Sequence, residues 1–380
     1  MKILNYTESH DAYRNALRTF LQSEVVPQIE ECEKSHVTPR SMWRAMGKNG
    51  FLCPTAPKEY GGQGLDFLYA VIVWEELSRI NFTGLAAALH SDIVVPYLLS
   101  FGSEEQKAKY IPGCVSGDVI TAVAMTEPDA GSDVAAMVTT ATPDGDDIVI
   151  SGSKTFISNG VNCDLVVLAA RNPEVSEKHK AISLYLVEAD TPGFTKGAPF
   201  EKMGWASQDT AELFFNDCRI PKSNQLGKPG AGFLMLMQKL QQERLVCAVN
   251  ALAASETMLE QTMAHCQSTS HNGKPISKSQ SAQFALVEMA TELKAMRTFT
   301  EATVFDHMHG EEVIQETSMA KYWNTEMSKR VASRCIDLIG IDAATEACPL
   351  VRQFRDARVT SIFAGTNEIM KGIIGKTMGL

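Results

Sequence analysis

The sequence lacks a basic surplus. Its 35 Lys and Arg stand against 45 Asp and Glu, a formal charge of −10. With no basic stripe to displace phosphate counterions, this balance argues against a nucleic-acid partner. Cysteine-pairing signals are missing as well. Cys32, Cys53, Cys114, Cys163, Cys218, Cys247, Cys266, Cys335 and Cys348 form an odd set with no Cys-x-x-Cys pair and no zinc-ligand spacing. Reduced thiols of an intracellular protein, and no metal site, are the expectation. No apolar run is long enough to cross a bilayer without charges or breakers. Residues 1–6 turn polar before a signal-peptide core can form. Internal repeats and low-complexity tracts are absent. A soluble cytoplasmic protein without an anchor is expected, and 380 residues with 44% hydrophobic content provide for a large core in two or three subdomains.

What is present changes period along the chain. Over residues 8–35, Tyr13, Leu17, Phe20, Leu21, Val25 and Ile29 recur at three and four, the stripe of an amphipathic helix. Thr38 and Pro39 open a second helix, residues 68–80 and 85–99 read as two buried helices, and a charged helix from Ser103 leads to Pro112. After Gly117 the period drops to about 2. Short β-rich runs at 119–123, 148–150, 165–168, 182–187 and 213–215 are separated by Asp144-Gly145-Asp146-Asp147, Asn159-Gly160 and Thr191-Pro192-Gly193. After Gly227-Lys228-Pro229-Gly230 the helical period returns over 233–267, 279–308, 311–339 and 360–375. The expected fold is α+β and multidomain: an N-terminal helical domain over 1–117, an antiparallel β-sandwich or barrel over 118–228, and a four-helix bundle over 229–380.

One stretch at the entry to the β block has neither period. Residues 124–134, Ala-Met-Thr-Glu-Pro-Asp-Ala-Gly-Ser-Asp-Val, combine turn formers with hydroxyls and acids. Gly131 permits close backbone approach, and Thr126, Ser132 and free N–H groups suit a flat polar ring or a phosphate. A plain surface loop is the other reading.

The order helix, β, helix, together with Met125-Thr126-Glu127-Pro128 and Ala130-Gly131-Ser132-Asp133, resembles the flavin-dependent acyl-CoA dehydrogenases. So do the run 152–160, Gly-Ser-Lys-Thr-Phe-Ile-Ser-Asn-Gly, and Lys202-Met203-Gly204. Gln242-Glu243-Arg244-Leu245 and Gly365-Thr366-Asn367-Glu368-Ile369 complete the set. Residues 208–215, Gln-Asp-Thr-Ala-Glu-Leu-Phe-Phe, place the likeness nearest the long-chain and isovaleryl branches. The resemblance implies FAD, with Val123, Met125, Thr126, Gly131, Ser132, Phe156, Ile157 and Ser158 about the isoalloxazine. Gln280, Thr366, Asn367 and Glu368 would serve the rest of the cofactor. It also implies an acyl-CoA substrate met by Ser132, Arg244, Ala364 and Gly365, an electron-transferring flavoprotein or similar acceptor, and a homotetramer or homodimer.

The family reaction needs a carboxylate to take the α-proton of a thioester while hydride leaves from the β-carbon to the flavin. Many relatives carry that glutamate directly before the Gly-Thr pair, where this sequence has Ala364. Others with a small residue there carry it before an arginine on an earlier helix, the place of Glu243. The alternative for Glu243 is a surface acid paired with its neighbour. Asp92 lies in the nearly apolar run 85–99 and has two readings. Either Ser91 or Asp92 caps a helix beginning at Ile93, or Asp92 is a second acid–base group. The latter would suit proton removal in a 1,4-elimination on a cyclic enoyl-CoA.

Two family features are missing. Thr269-Ser270-His271-Asn272-Gly273-Lys274 replaces an Arg-x-x-Phe-Gly turn whose arginine reaches the flavin pyrophosphate across subunits. The segment 337–341, Asp-Leu-Ile-Gly-Ile, replaces a Gln-x-x-Gly-Gly segment. Lys274 or Lys278 would then have to hold the adenosine half, or it is held weakly. A degenerate, non-catalytic partner subunit is the competing reading.

Overall fold

Helix boundaries follow local chemistry. In the computed structural model, which describes residues 3–380, Ser103 Oγ accepts the Gln106 N–H while the Gln106 side chain accepts the Ser103 N–H. This reciprocal cap starts the helix Glu104–Ser116 and satisfies two donors that the helix itself cannot. Likewise Asp66 accepts the Leu68 N–H to open the helix Phe67–Arg79 and also holds His10 of the helix Glu8–Phe20.

The first layer comprises α1 (Glu8–Phe20), α2 (Ile29–Ser35), α3 (Arg40–Lys48), α4 (Phe67–Arg79), α5 (Val95–Phe101) and α6 (Glu104–Ser116). The expected first helix is broken by a π-helical turn, Leu21–Val25, and a 3-10 turn, Val26–Gln28. A second π-helical turn, Leu89–Val94, runs directly into α5. Pro112 lies inside α6 and does not end it.

The middle segment forms one eight-stranded sheet: β1 (Thr121–Ala124), β2 (Thr140–Asp144), β3 (Asp147–Ile157), β4 (Leu165–Arg171), β5 (Ile182–Glu188), β6 (Phe194–Lys196), β7 (Ala211–Pro221) and β8 (Gln225–Leu226). Its path is β6-β7-β3-β2-β4-β5-β8, with β1 beside β4. A short helix, α7 (Lys178–Ala181), precedes β5. Most pairs are antiparallel, as expected, but β1 and β2 each join β4 in parallel. Along β4 the side chains alternate between two cores. Leu165, Val167 and Ala169 pack into the large helical core, whereas Val166, Leu168 and Ala170 pack into the sheet's own core. Burial on both faces explains why β4 reads as an unbroken apolar run.

The last third is α8 (Gly232–Ser268), the hairpin β9 (Ser270–His271) and β10 (Lys274–Pro275), α9 (Gln280–Met308), α10 (Ile314–Ile339), α11 (Pro349–Ala357) and α12 (Asn367–Thr377). The four expected helices are present, and α11 is an addition. At 37 residues, α8 spans about 55 Å. Among the described residues no helix is long and apolar enough to cross a membrane.

Candidate active site

Glu243, Val246, Cys247, Asn250, Ala254 and Met258 repeat at three and four along α8, so they share one stripe, and all line a single cavity. Trp74 and Leu77 of α4, with Leu85, Leu89 and Ile93, form the facing wall. Ser158, at the end of β3, and Phe363 and Ala364, before α12, close one side. The volume is about 150 Å³. The lining is mainly apolar, and this makes its few polar groups chemically conspicuous.

Glu243 is the first of these. Its Oε2 is shielded from solvent and has no hydrogen-bond partner. Burial pushes its carboxyl up to about 7, opposed by the positive charges of Arg244 and Lys321. The expected alternative, a surface acid paired with its neighbour, is not what the fold builds. Arg244 is itself buried and its Nε is unpartnered.

The turn opposite is held from below. Ala364 and Gly365 have φ of 55° and 89°, a left-handed path that is strained for alanine. The fully buried Lys321 donates to the Gly365 carbonyl at 2.6 Å and to Asn367 Oδ1 at 3.1 Å. Asn367 in turn donates to Thr325 Oγ1 and Glu326 Oε1. The Asn367 side chain, expected to serve the cofactor, is engaged here in fixing Lys321. Thr366 Oγ1 accepts the Ile369 N–H as the cap of α12, and Glu368 is exposed in its first turn.

Asp92 is 2% exposed, and its Oδ2 accepts the Trp74 indole N–H at 2.6 Å. Burial raises this carboxyl to about 7, against the lowering effect of that hydrogen bond. Helical backbone continues through Ser91 and Asp92, so neither caps a helix at Ile93. Trp74 and Ile93, and not Asp92, form the cavity wall here. Gln242 Nε2 donates to the Asp92 carbonyl, and Gln242 Oε1 meets His307 at 3.2 Å.

The loop after β1 is pinned by an ion pair that the sequence reading did not single out. Lys154, fully buried on β3, donates to Glu127 Oε1 at 2.8 Å and to the Met125 carbonyl at 3.0 Å. Glu127 also accepts the Val138 and Thr139 N–H groups. The available signal was a lysine at an inward-facing position of a strand. Above this anchor Val123, Met125, Thr126 and Ser158 are half-buried, while Gly131 and Ser132 are exposed. Phe156 is 66% exposed with φ of 56°. A Cβ on Gly131 would meet no atom within 4 Å, so space beside this backbone is open to a ligand. The Ile157 side chain belongs to the sheet core, which leaves only its backbone for such a ligand. These residues form an open cradle suited to one face and edge of a flat ring. Gln280, by contrast, is exposed at the start of α9. Next to it lies the hairpin, whose turn Asn272-Gly273 has φ of 53° and 77°, the two-residue geometry that asparagine and glycine favour.

Gly204 explains another motif. A Cβ there would lie 2.6 Å from the Arg355 carbonyl, so only glycine lets the segment after β6 reach α11. Trp205 then donates its backbone N–H to Asp356 Oδ1 and its indole N–H to the Asp356 carbonyl, and packs edge-on against Phe363.

A helical layer, a β-sheet and a helical bundle thus converge on a mainly apolar cavity with an unpartnered carboxylate oxygen in its wall. The chain belongs to the acyl-CoA dehydrogenase family, whose members are flavoproteins. Residues 7–118 match the family's N-terminal domain, 122–218 its middle domain and 230–379 its C-terminal domain. The long-chain specific acyl-CoA dehydrogenase of Sus scrofa mitochondria is 42% identical over 372 residues, 98% of this chain and 86% of that protein. An acyl-CoA dehydrogenase of Bacillus subtilis is 35% identical, with 98% of each chain covered. The crystal structure of acyl-CoA dehydrogenase from Geobacillus kaustophilus superimposes with a TM-score of 0.97 at 48% identity, over 99% of each chain.

Proposed function

We propose that this protein dehydrogenates an acyl-CoA thioester between its α- and β-carbons, with Glu243 as the base. The observation that carries this is the solvent-shielded, unpartnered Glu243 Oε2 in the wall of an apolar cavity opposite Ala364. An α-proton beside a thioester is only weakly acidic, so its acceptor must be close, dry and basic near neutral pH. Glu243 has those properties: burial raises it to about 7 and withholds it from water. Ala364 leaves its side of the cavity free of a second acid, and backbone N–H groups of that turn are available to the thioester oxygen.

In this reading the cradle of Val123, Met125, Thr126, Gly131, Ser132, Phe156, Ile157 and Ser158 would hold the ring half of FAD, with Ser132 shared with coenzyme A; the open space beside Gly131 supports it. When bound, FAD supplies the acceptor for the β-hydride. Lys154 and Glu127 keep the loop in shape, and Lys321 keeps the Ala364 turn in shape. An electron-transferring flavoprotein or a protein of the same class is the onward acceptor in this reading. A 1,4-elimination on a cyclic substrate would need Asp92 at the cavity, and Trp74 occupies that wall. A merely structural subunit has no use for an unpaired buried carboxylate beside an open pocket.

Glu243→Gln keeps the shape and removes the base. Purified with its flavin and mixed anaerobically with acyl-CoA, this variant is expected to bleach the flavin about a thousandfold more slowly. The wild-type rate should rise with pH through about 7 as Glu243 loses its proton. A wild-type bleaching rate in the variant would refute the assignment.

A further inference from the structure

The cavity has a second polar region, contributed by α11. Gln353 and Asp356 stand three residues apart on α11, hence on one face, and both line the cavity. They are 3% and 6% exposed. Gln353 has no partner for either Nε2 or Oε1, and Asp356 Oδ2 has none. Asp356 is anchored on its other side, because Oδ1 accepts the Trp205 N–H. Ala254, Met258 and Ala357 of the same lining offer no side-chain donor or acceptor, and the hydroxyls of Ser328 and Thr360, which also line it, do not bond to these atoms. Buried amides in native folds are nearly always paired, and one left without a protein partner beside a cavity is placed for a ligand.

The distance from the reacting end follows from α10. Lys321 donates to the Gly365 carbonyl and Lys329 to Ser361 Oγ, so the chain from Gly365 back toward α11 runs along that helix. The eight residues between the two lysines represent about 12 Å, and Gln353 lies farther back along the chain than Ser361. The polar end is thus remote from the thioester and would meet the tail of a medium-length chain.

We propose that Gln353 and Asp356 form a recognition site for a neutral oxygen substituent, a hydroxyl or oxo group, on the tail of the acyl chain. This rests on the acyl-CoA reading of the cavity. Gln353 offers both a donor and an acceptor, which suits either substituent. A carboxylate tail is disfavoured, because no Lys, Arg or His lines the cavity to neutralise it and two acids already do line it.

The test uses holoenzyme carrying Glu243→Gln, which separates binding from turnover. Calorimetry should give a roughly tenfold lower Kd for ω-hydroxydecanoyl-CoA than for decanoyl-CoA. Adding Gln353→Leu, close in volume and free of polar atoms, should bring that ratio to one or below. The same change should leave Tm equal or higher, since it deletes unpaired groups. Equal affinities for the two thioesters, or a ratio that Gln353→Leu does not move, would overturn the site and leave the end filled by water. Wild-type turnover failing on both thioesters while the Kd ratio holds would instead sink the assignment of Glu243.

Discussion

Asp92 shows how one partner changes what a residue can do. An isolated carboxylate in an apolar helix is costly, but the Trp74 indole shares the burden through a 2.6 Å hydrogen bond. Burial still dominates and lifts Asp92 to about 7. Its unfolded counterpart ionises near pH 4, so between these values the folded state holds a proton that the unfolded state has lost. That contribution to stability is complete below about pH 4 and disappears as pH rises through about 7. Asparagine can keep the Trp74 hydrogen bond and cannot ionise. Asp92→Asn should therefore melt with the wild type at low pH and roughly 5 °C above it once pH exceeds about 8. Thermal scans across pH would measure this, and a Tm difference that does not vary with pH would show that Asp92 stays charged throughout. Glu243 carries a shift of the same sign, a cost that the proposed role as base would require.

At the scale of elements, the loop after β1 depends on β3. Lys154 and Glu127 are both out of solvent and hold each other, while Glu127 closes the loop by accepting two backbone N–H groups. Lys154→Met would strand the Glu127 charge, at a cost of about 3 to 5 kcal/mol. Adding Glu127→Gln should recover part of it. Urea unfolding of the two single variants and the double variant would read the coupling, and a Lys154→Met midpoint equal to the wild type would dismiss it. This pair also marks where sequence reading stops. The long helices were visible because Tyr13, Leu17 and Phe20 in α1, or the Glu243 to Met258 stripe in α8, repeat at three and four. Strand β3 was recognised only at Ile148-Val149-Ile150, since Gly152, Ser153 and Lys154 break the apolar alternation although the ladder with β7 continues past them. The π-helical turn at Leu89–Val94 inserts a residue without altering composition, so Asp92 looked like a cap. Glu243 was found through family likeness and Ala364. Gln353 was invisible, because its significance lies in having no partner across helices distant in sequence.

For the whole molecule, the cavity belongs to no single layer. Its walls come from α4, the turn before α5, the end of β3, α8 and the α11 to α12 connection, so anything that lets the layers slide opens it. The layers are riveted by ions. Arg40 ties α3 to the sheet through Asp164 and the Asn162 carbonyl. Arg297 of α9 reaches Glu75 of α4 and Glu256 of α8, and Arg14 of α1 meets both Glu75 and Glu76. The Arg297 guanidinium is held well above its ordinary range because these acids outweigh its burial. Surface ion pairs contribute little and fade with salt, but this cluster is largely shielded, with Glu75 8% exposed. Arg297→Met should therefore lower the unfolding free energy by roughly 3 kcal/mol, and the deficit should persist in high salt. Urea titrations at low and high ionic strength would check both points. A deficit that vanishes with added salt would mean that the cluster acts as surface charge, and that apolar packing alone keeps α4, α8 and α9 in register around the cavity.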